Sequence, residues 1–453
     1  MLNVPDIKMS KWKYFRWNRD DPVGLRTHIF ETYGDIAKFD TGKITNYFFT
    51  HPDYAQIILG DKQDDFFNKH PALVHGLEPL AGLVSFFTQN DPVKWKRDRE
   101  VALKSVNVHV FFERYMAKFY EIATKRVDAW FDKYPDNAVV DVGYELTCLI
   151  INFVNNSFFY YIEDSPEETV DMMYHSVGTL MAHHTTYFPW IWKLPWKKKQ
   201  YDEAIGSNRE AYKKWVRRRL ESGDKIDDFI GNAINEYGNE LSREELIDQI
   251  GFQISTASGV GLFTTSPALF YVLIALTRHP EIRQKICREI SDVLGDEQPT
   301  YEQINKLTYT IATIKESMRM NSTSFNQLRQ AVVDTSVKGY FIPKGAGVII
   351  NNHQIHHHPD FWKEPNTFNP QRFLDNPFGQ SHPYAYLPFG SGKRGCIGRN
   401  FAFLEILTAL VIILRRFSFE FLPNQEVKPV MSTAVTIRPS INNLKLKQKT
   451  SMS

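Results

Sequence analysis

The middle of this 453-residue chain is a succession of long amphipathic helical patterns, over residues 108–133, 203–221, 243–277 and 282–294, with no linker composition between them. Strand-like runs gather toward the two ends instead, at 47–49 and 53–59 early and at 330–333, 347–350, 417–422 and 444–447 late. Strands arriving from both ends must pair around whatever the middle builds. The expected architecture is therefore mainly α with a small β-sheet region. Length alone would allow two or three domains, but no Gly/Ser-rich spacer, Pro-rich spacer, repeat or low-complexity tract marks a boundary. A single domain over 1–453 is expected, with 1–20 as a peripheral N-terminal segment and 448–453 as a tail.

Composition narrows the function classes. The 54 basic and 52 acidic side chains leave a net charge of +2, which excludes a globally basic nucleic-acid binder. A 43% hydrophobic and 23% charged chain is not a disordered one. Three cysteines cannot form a disulfide framework, and neither CxxC nor a Cys/His zinc spacing occurs, so the chain belongs in a reducing compartment or keeps one cysteine for its thiol. Residues 1–20 are polar and interrupted, unlike a cleaved signal. The longest apolar stretch, 267–277, falls short of the ~20 residues that span a bilayer. No transmembrane segment is expected, and the location implied is cytoplasmic or peripheral at the cytosolic side of a membrane.

One loop carries the chemistry: Pro388-Phe389-Gly390-Ser391-Gly392-Lys393-Arg394-Gly395-Cys396-Ile397-Gly398-Arg399-Asn400, followed by an apolar helix over 401–415. Glycines permit positive φ and close backbone approach, so the loop can turn its amides toward a ligand. A cysteine at a helix N-terminus is biased toward thiolate, and a soft thiolate suits iron. The run Gly390 to Gly395 also matches GxGxxG literally. However, Pro388 stands where a buried parallel strand should end, and no βαβ unit follows. Cys148 and Cys287, in apolar and helical settings, read as packing residues.

The segment Phe389-x-x-Gly392-x-Arg394-x-Cys396-x-Gly398 resembles the heme-binding signature of the cytochrome P450 superfamily. The resemblance implies a soluble single-domain form without a fused reductase, with heme b between a long distal helix and the helix after the cysteine loop. Cys396 would be the axial iron ligand and Arg394 would hold a propionate, with Phe389, Gly390 and Gly398 around the cofactor. Glu316 and Arg319 share a helix face and resemble the family's E-x-x-R; Pro370-Gln371-Arg372-Phe373 resembles its P-E-R-F, with Gln371 in place of the usual Glu. Arg372 would complete a Glu316–Arg319–Arg372 cluster with a structural role. Trp95 and Arg99 resemble the family's W-x-x-x-R, and Arg329 its further propionate arginine, which fits the need to pair buried propionates with cations. His353, His356, His357 and His358 have the form of a metal cluster, but their setting resembles a loop that the family keeps before P-E-R-F.

His279-Pro280-Glu281 resembles the end of the family's distal helix, and counting back from it sets Val260-Gly261-Leu262-Phe263-Thr264-Thr265 against that helix's A-G-x-(D/E)-T-T-like segment. Gly261 would leave space over the iron and Thr264 would help deliver protons, but Phe263 stands where the family has an acid. Pro267 has no N–H for the Phe263 carbonyl and should kink the helix, so that carbonyl could hold a water beside Thr264. The implied function is a heme-thiolate monooxygenase that inserts one oxygen atom from O2 into a lipophilic or aromatic small molecule. The alternative left open by Phe263 is non-monooxygenase chemistry: oxidative coupling, rearrangement, dehydration or peroxide-driven oxidation.

The resemblance puts Leu83, Val84, Phe86, Phe87, Val260, Phe325, Thr433 and Ala434 in the substrate pocket, which is apolar and partly aromatic. Lys393, Arg394, Arg399, Arg415 and Arg416 gather around the cysteine loop in sequence. They would steer an acidic ferredoxin, flavodoxin or reductase, and through it an NAD(P)H-linked donor, to a basic proximal face. Residues 187–199 mix aromatics with lysines, as interfacial membrane segments do; a solvated loop capping the pocket is the competing reading. A monomer is expected, with no nucleic-acid partner.

Overall fold

The structure is a computed structural model, and it describes residues 2–106, 108–157, 159, 165–185, 189–295, 297–376, 382–433 and 435–449. The architecture is mainly helical with small sheets, as expected. The chain packs into two compact units. One gathers Met1–His70, Ala123–Leu146 and Thr264–Ser453, and the other Pro71–Ile122 and Thr147–Phe263. The division falls inside the helices Val108–Lys133, Val142–Ser157 and Arg243–Arg278.

The first unit carries the sheets. Its five-stranded sheet has the order Ile36–Asp40, Thr45–Phe49, Gly347–Ile350, Gln327–Gln330, Asn68–Lys69. Early and late chain meet where Thr45–Phe49 pairs in parallel with Gly347–Ile350, in the register Phe49 opposite Ile350. Gly347–Ile350 is buried throughout, which is why it reads as a plain apolar run rather than an alternating one. A second sheet sets Asn443–Gln448 between Val139–Asp141 and Phe417–Glu420. Beneath the strands lies a core of Phe49, Leu59, Phe66, Val348, Ile350 and Leu387. The hairpin Thr335–Val337 to Tyr340–Ile342 turns on Lys338 (φ 46°) and Gly339 (φ 85°), the positive pair that a two-residue turn needs.

The second unit is helical, and several helix starts follow from their caps. Asp91 accepts from the amides of Val93 and Lys94 before Pro92–Ser105, with Pro92 at the first position, where its missing N–H costs nothing. Asp228 caps Phe229–Tyr237 by accepting from Gly231 N, and is itself held by both terminal nitrogens of Arg219 at 2.9 and 2.8 Å.

The four long helical patterns all form helices, the second extended to Pro195–Ser222. Two strand expectations fail. Residues 53–59 belong to a helix, Pro52–Gln56, and a wider π turn, Ile57–Asp61, because the His51 imidazole accepts from Asp53 N and Pro52 takes the first helical position. In the run Ile57-Ile58-Leu59 the last two are buried and Ile57 packs half-buried against the same core, so the run is apolar because of packing, not because it is extended. The late strand spans Gln327–Gln330 and ends where 330–333 was expected to begin. Arg243–Arg278 runs as one helix with Pro267 inside it. It is also the one described helix long and apolar enough to cross a membrane, and 67% of that apolar window is buried within the protein.

Candidate active site

The cysteine loop is bent by two glycines that need their freedom. Gly390 sits at φ 67° and Gly392 at φ 70°, and a Cβ on Gly392 would lie 1.9 Å from the Leu59 carbonyl oxygen. Gly395 N donates to Gly392 O and Cys396 N to Phe389 O, both at 2.9 Å. The helix Arg399–Arg416 then begins behind Gly398. Of the three cysteines, Cys148 is buried, Cys287 half-buried and Cys396 exposed. The loop therefore presents its thiol at a helix start.

The loop is fastened by residues that sequence reasoning missed. Leu387 N donates to His356 Nε2 at 2.7 Å; Asn352 Nδ2 donates to Ser324 O (3.0 Å) and Leu387 O (3.2 Å). Gln327 Nε2 donates to Asn352 Oδ1 at 3.0 Å, and Lys393 N to Gln63 Oε1 at 2.7 Å. His356 was visible only as one of four histidines. Its role as a backbone acceptor had no sequence signal.

The histidine run does not assemble as a metal cluster. Burial pushes His353 and His356 well below the ordinary imidazole range, so both are neutral. His358 goes elsewhere, donating to Asp35 Oδ1 at 3.1 Å, and with His51 makes a trio whose ligand atoms lie within 4.8 Å of one another. Both of these rings, however, accept a backbone N–H on Nδ1: His51 from Asp53 and His358 from Asp360. Their protons sit on Nε2, where a metal would have to bind, so the trio reads as a tie between loops.

Glu316, Arg319 and Arg372 do come together. Arg319 Nε and Nη2 donate to the two Glu316 oxygens at 2.8 and 2.9 Å, and Arg372 Nε donates to Glu316 Oε1 at 3.1 Å. Glu316 and Arg319 are fully buried. Arg319 also donates to the carbonyls of His356 and Pro365, and Asn369 N to Glu316, so both desolvated charges are saturated with partners. Their helix, Thr308–Met320, starts on the Glu289 carboxylate, which accepts from Tyr309 N and Thr310 N.

Arg329 is different. It is buried in the strand Gln327–Gln330, donates to Leu328 O at 3.1 Å, and has no acid within ion-pair reach among the described residues. Burial pushes its guanidinium down to about 10. Such a cation calls for an anion. Arg394 lies over the Phe67 ring at 4.1 Å. In the second unit Arg99 lies over the Trp95 ring at 5.5 Å, so the two share a helix face. A thiol offered at a helix start, a glycine-bent loop and a buried arginine lacking an acid fit a heme with its propionates.

On the distal segment, a Cβ at Gly261 would meet Val154 Cγ2 at an ordinary 3.6 Å. Phe263 is buried with its ring 5.8 Å from that of Tyr174, and Thr264 is half-buried. Among the pocket candidates, Leu83 and Val260 are exposed, Val84, Phe86 and Phe87 half-buried, and Phe325 and Thr433 buried; Ala434 lies outside the described residues. Thr88 Oγ1 donates to Gly82 O at 2.7 Å and holds the turn that carries Leu83 to Phe87.

The basic face is smaller than its sequence suggests. Arg415 and Arg416 stand at the far end of Arg399–Arg416, roughly 24 Å along the axis from its start. There Arg415 donates to Gly295 O and Glu297 O, and Arg416 pairs with Asp128. Lys393 is paired with Asp64 at 2.7 Å, and Arg399 Nη2 donates to Gly390 O at 3.3 Å.

A family model described as Cytochrome P450 matches residues 11–446, and the chain belongs to that family. It is 27% identical over 442 residues to 7-deoxyloganic acid hydroxylase of Catharanthus roseus, covering 91% of this chain and 82% of that protein. It is 25% identical over 440 residues to Cytochrome P450 4Z1 of Homo sapiens, covering 91% and 85%. With Cytochrome P450 3A16 of Mus musculus it shares 32% over 240 residues, 51% of this chain; the match spans about half of that protein, 48%. Membership implies a heme.

Proposed function

We propose that this protein is a heme-thiolate monooxygenase that inserts one oxygen atom from O2 into a lipophilic or aromatic small molecule. Its electrons would come from a separate NAD(P)H-linked donor through a ferredoxin, flavodoxin or reductase. The observation that carries this reading is the exposed Cys396 thiol in its glycine-bent loop at the start of Arg399–Arg416. Bound heme would supply iron redox chemistry, with electron density from the thiolate favouring O–O cleavage. The chain's own residues do the rest. Cys396 Sγ would hold the iron; Arg329, Arg394, and Arg99 with Trp95 would hold propionates; Phe389, Gly390 and Gly398 would let the backbone come close. Leu83, Val84, Phe86, Phe87, Val260, Phe325, Thr433 and Ala434 meet substrate, and the whole of 1–453 works as one domain, as a monomer. Two exposed tryptophans, Trp190 and Trp196, beside Lys197, Lys198 and Lys199 support peripheral contact with the cytosolic side of a membrane. The test is the reduced carbon monoxide spectrum: a thiolate-type band is expected, and Cys396→Ser retaining that band would overturn the ligand assignment.

One observation favours a second reading. Phe263 replaces the distal acid and is buried against Tyr174, so its ring cannot carry a proton. Either the Phe263 carbonyl, denied the Pro267 N–H, holds a water that passes its proton through Thr264 Oγ1, or the chemistry is coupling, rearrangement, dehydration or peroxide-driven oxidation. Product formation that needs reductant and O2, and turnover that drops about 10-fold or more in Thr264→Ala, supports the water relay. Product formed without either co-reactant supports the second reading.

A further inference from the structure

Three arginines are buried among the described residues: Arg26, Arg319 and Arg329. Arg319 has Glu316, and Arg329 is assigned to a heme propionate. Arg26 remains. It lies on the helix Pro22–Tyr33 with 4% of its surface exposed, and its Nη2 donates to Asn18 Oδ1 at 2.8 Å. Its Nε and Nη1 are buried without a hydrogen-bond partner, and no acid of the described residues reaches it. Its Cζ stands 5.4 Å from the Phe48 ring and 5.9 Å from the Phe325 ring.

What surrounds Arg26 is not a counter-ion. The Tyr14 hydroxyl lies against the guanidinium, but burial raises the Tyr14 pKa more than the arginine lowers it, so the phenol stays neutral at neutral pH. Burial likewise pushes the Arg26 guanidinium down, and Tyr14 only partly offsets this. Aromatic faces return part of the desolvation cost and leave the hydrogen-bond donors unmet. One neighbour, Phe325, is itself expected at the substrate, and Pro22–Tyr33 also packs against the strand Pro429–Met431, two residues before Thr433.

We propose that Arg26 anchors a substrate carboxylate, so that the substrate of this enzyme is an apolar molecule bearing a single carboxylate group, with Asn18 and Tyr14 orienting the guanidinium. This rests on the reading of the chain as a heme enzyme. One cation among aromatic rings matches one negative charge. A phosphate monoester, at about −1.5 to −2, would leave charge unmatched.

The experiment uses the full heme-loaded chain and a panel of alkanoic acids from octanoic to hexadecanoic, with phenylalkanoic acids, each beside its methyl ester and the corresponding alkyl phosphate. Binding is read both by the heme spectral shift and by the rise in melting temperature. At least one acid is expected to bind about 10-fold or more tightly than its ester and its phosphate, a difference of ~1.4 kcal/mol. Arg26→Met is expected to abolish that preference and leave ester binding within about 2-fold, and Arg26→Lys to keep part of it. Without ligand, Arg26→Met is expected to melt no lower than the parent, because it removes an uncompensated charge; a merely structural arginine would lower the melting point. No acid preference anywhere in the panel, equal loss for acid and ester in Arg26→Met, or a preference for phosphate overturns the proposal. The reduced carbon monoxide spectrum, taken on each sample, separates the two failures. Its absence overturns the heme reading, and its presence without acid preference overturns this inference alone.

Discussion

Arg319 and Arg26 are both arginines withdrawn from water on helices of the same unit, and they differ in what meets them. Arg319 is closed within the chain: a bidentate carboxylate and three backbone carbonyls, those of His356, Pro365 and Thr367, take up its donors, and a second arginine shares the acid. Arg26 has an amide oxygen, a neutral phenol and two rings. The first arrangement makes a fixed joint, because each of these donors has its acceptor and removing Glu316 would leave two arginines without their acid. The second keeps a buried cation ready for something that arrives later. Arg329 falls on the second side, and on this reading the unit holds two sites completed by ligands and one completed by itself.

The largest expected effect breaks the closed site. Glu316→Ala leaves Arg319 and Arg372 facing each other without an acid, and is expected to destabilise the protein by ~3–5 kcal/mol, seen as a large fall in melting temperature or failure to accumulate folded. An unchanged melting temperature would place Arg319 with the open arginines. Arg329→Met is expected to act differently. Heme retention on gel filtration falls by about 10-fold or more, the worth of a hydrogen bond to a charged group, while the heme-free protein melts no lower. Equal losses in both readouts would make Arg329 a structural residue.

A third effect, set by pH, lies in the helical unit, where the Asp98 carboxyl is buried. Tyr237 Oη donates to its Oδ1 at 2.6 Å, yet burial raises its carboxyl to about 6. The folded state then binds the proton more tightly than the unfolded chain does. Stability from this group is present below the ordinary carboxyl value and is lost as pH rises toward about 6. Melting curves from acid to neutral pH should show that slope, worth up to ~2–3 kcal/mol, and Asp98→Asn should flatten it. An unchanged slope in the variant would remove Asp98 from the account.

Much of this was legible beforehand, for identifiable reasons. The helices at 108–133 and 243–278 announce themselves through sustained periodicity, and the cysteine loop through glycines that only a bent backbone requires. The run Ile57-Ile58-Leu59 misled because a short apolar stretch has no period, and the His51-Pro52-Asp53 cap outweighed it. Arg415 and Arg416 misled because nearness in sequence is not nearness along a helix that rises 1.5 Å per residue. Asn352, Gln63 and Gln327 escaped notice because an amide's role depends on the backbone group it faces, which lies far off in the chain.

The chain's own residues therefore determined where the long helices run and which family the protein belongs to, and they singled out one cysteine loop as the candidate site, since each of these rests on local spacing. Which buried charges are closed and which stand open was decided by the tertiary structure alone. An arginine in a helix reads the same whether its guanidinium meets a carboxylate, two aromatic rings or water, and only long-range packing chooses among them.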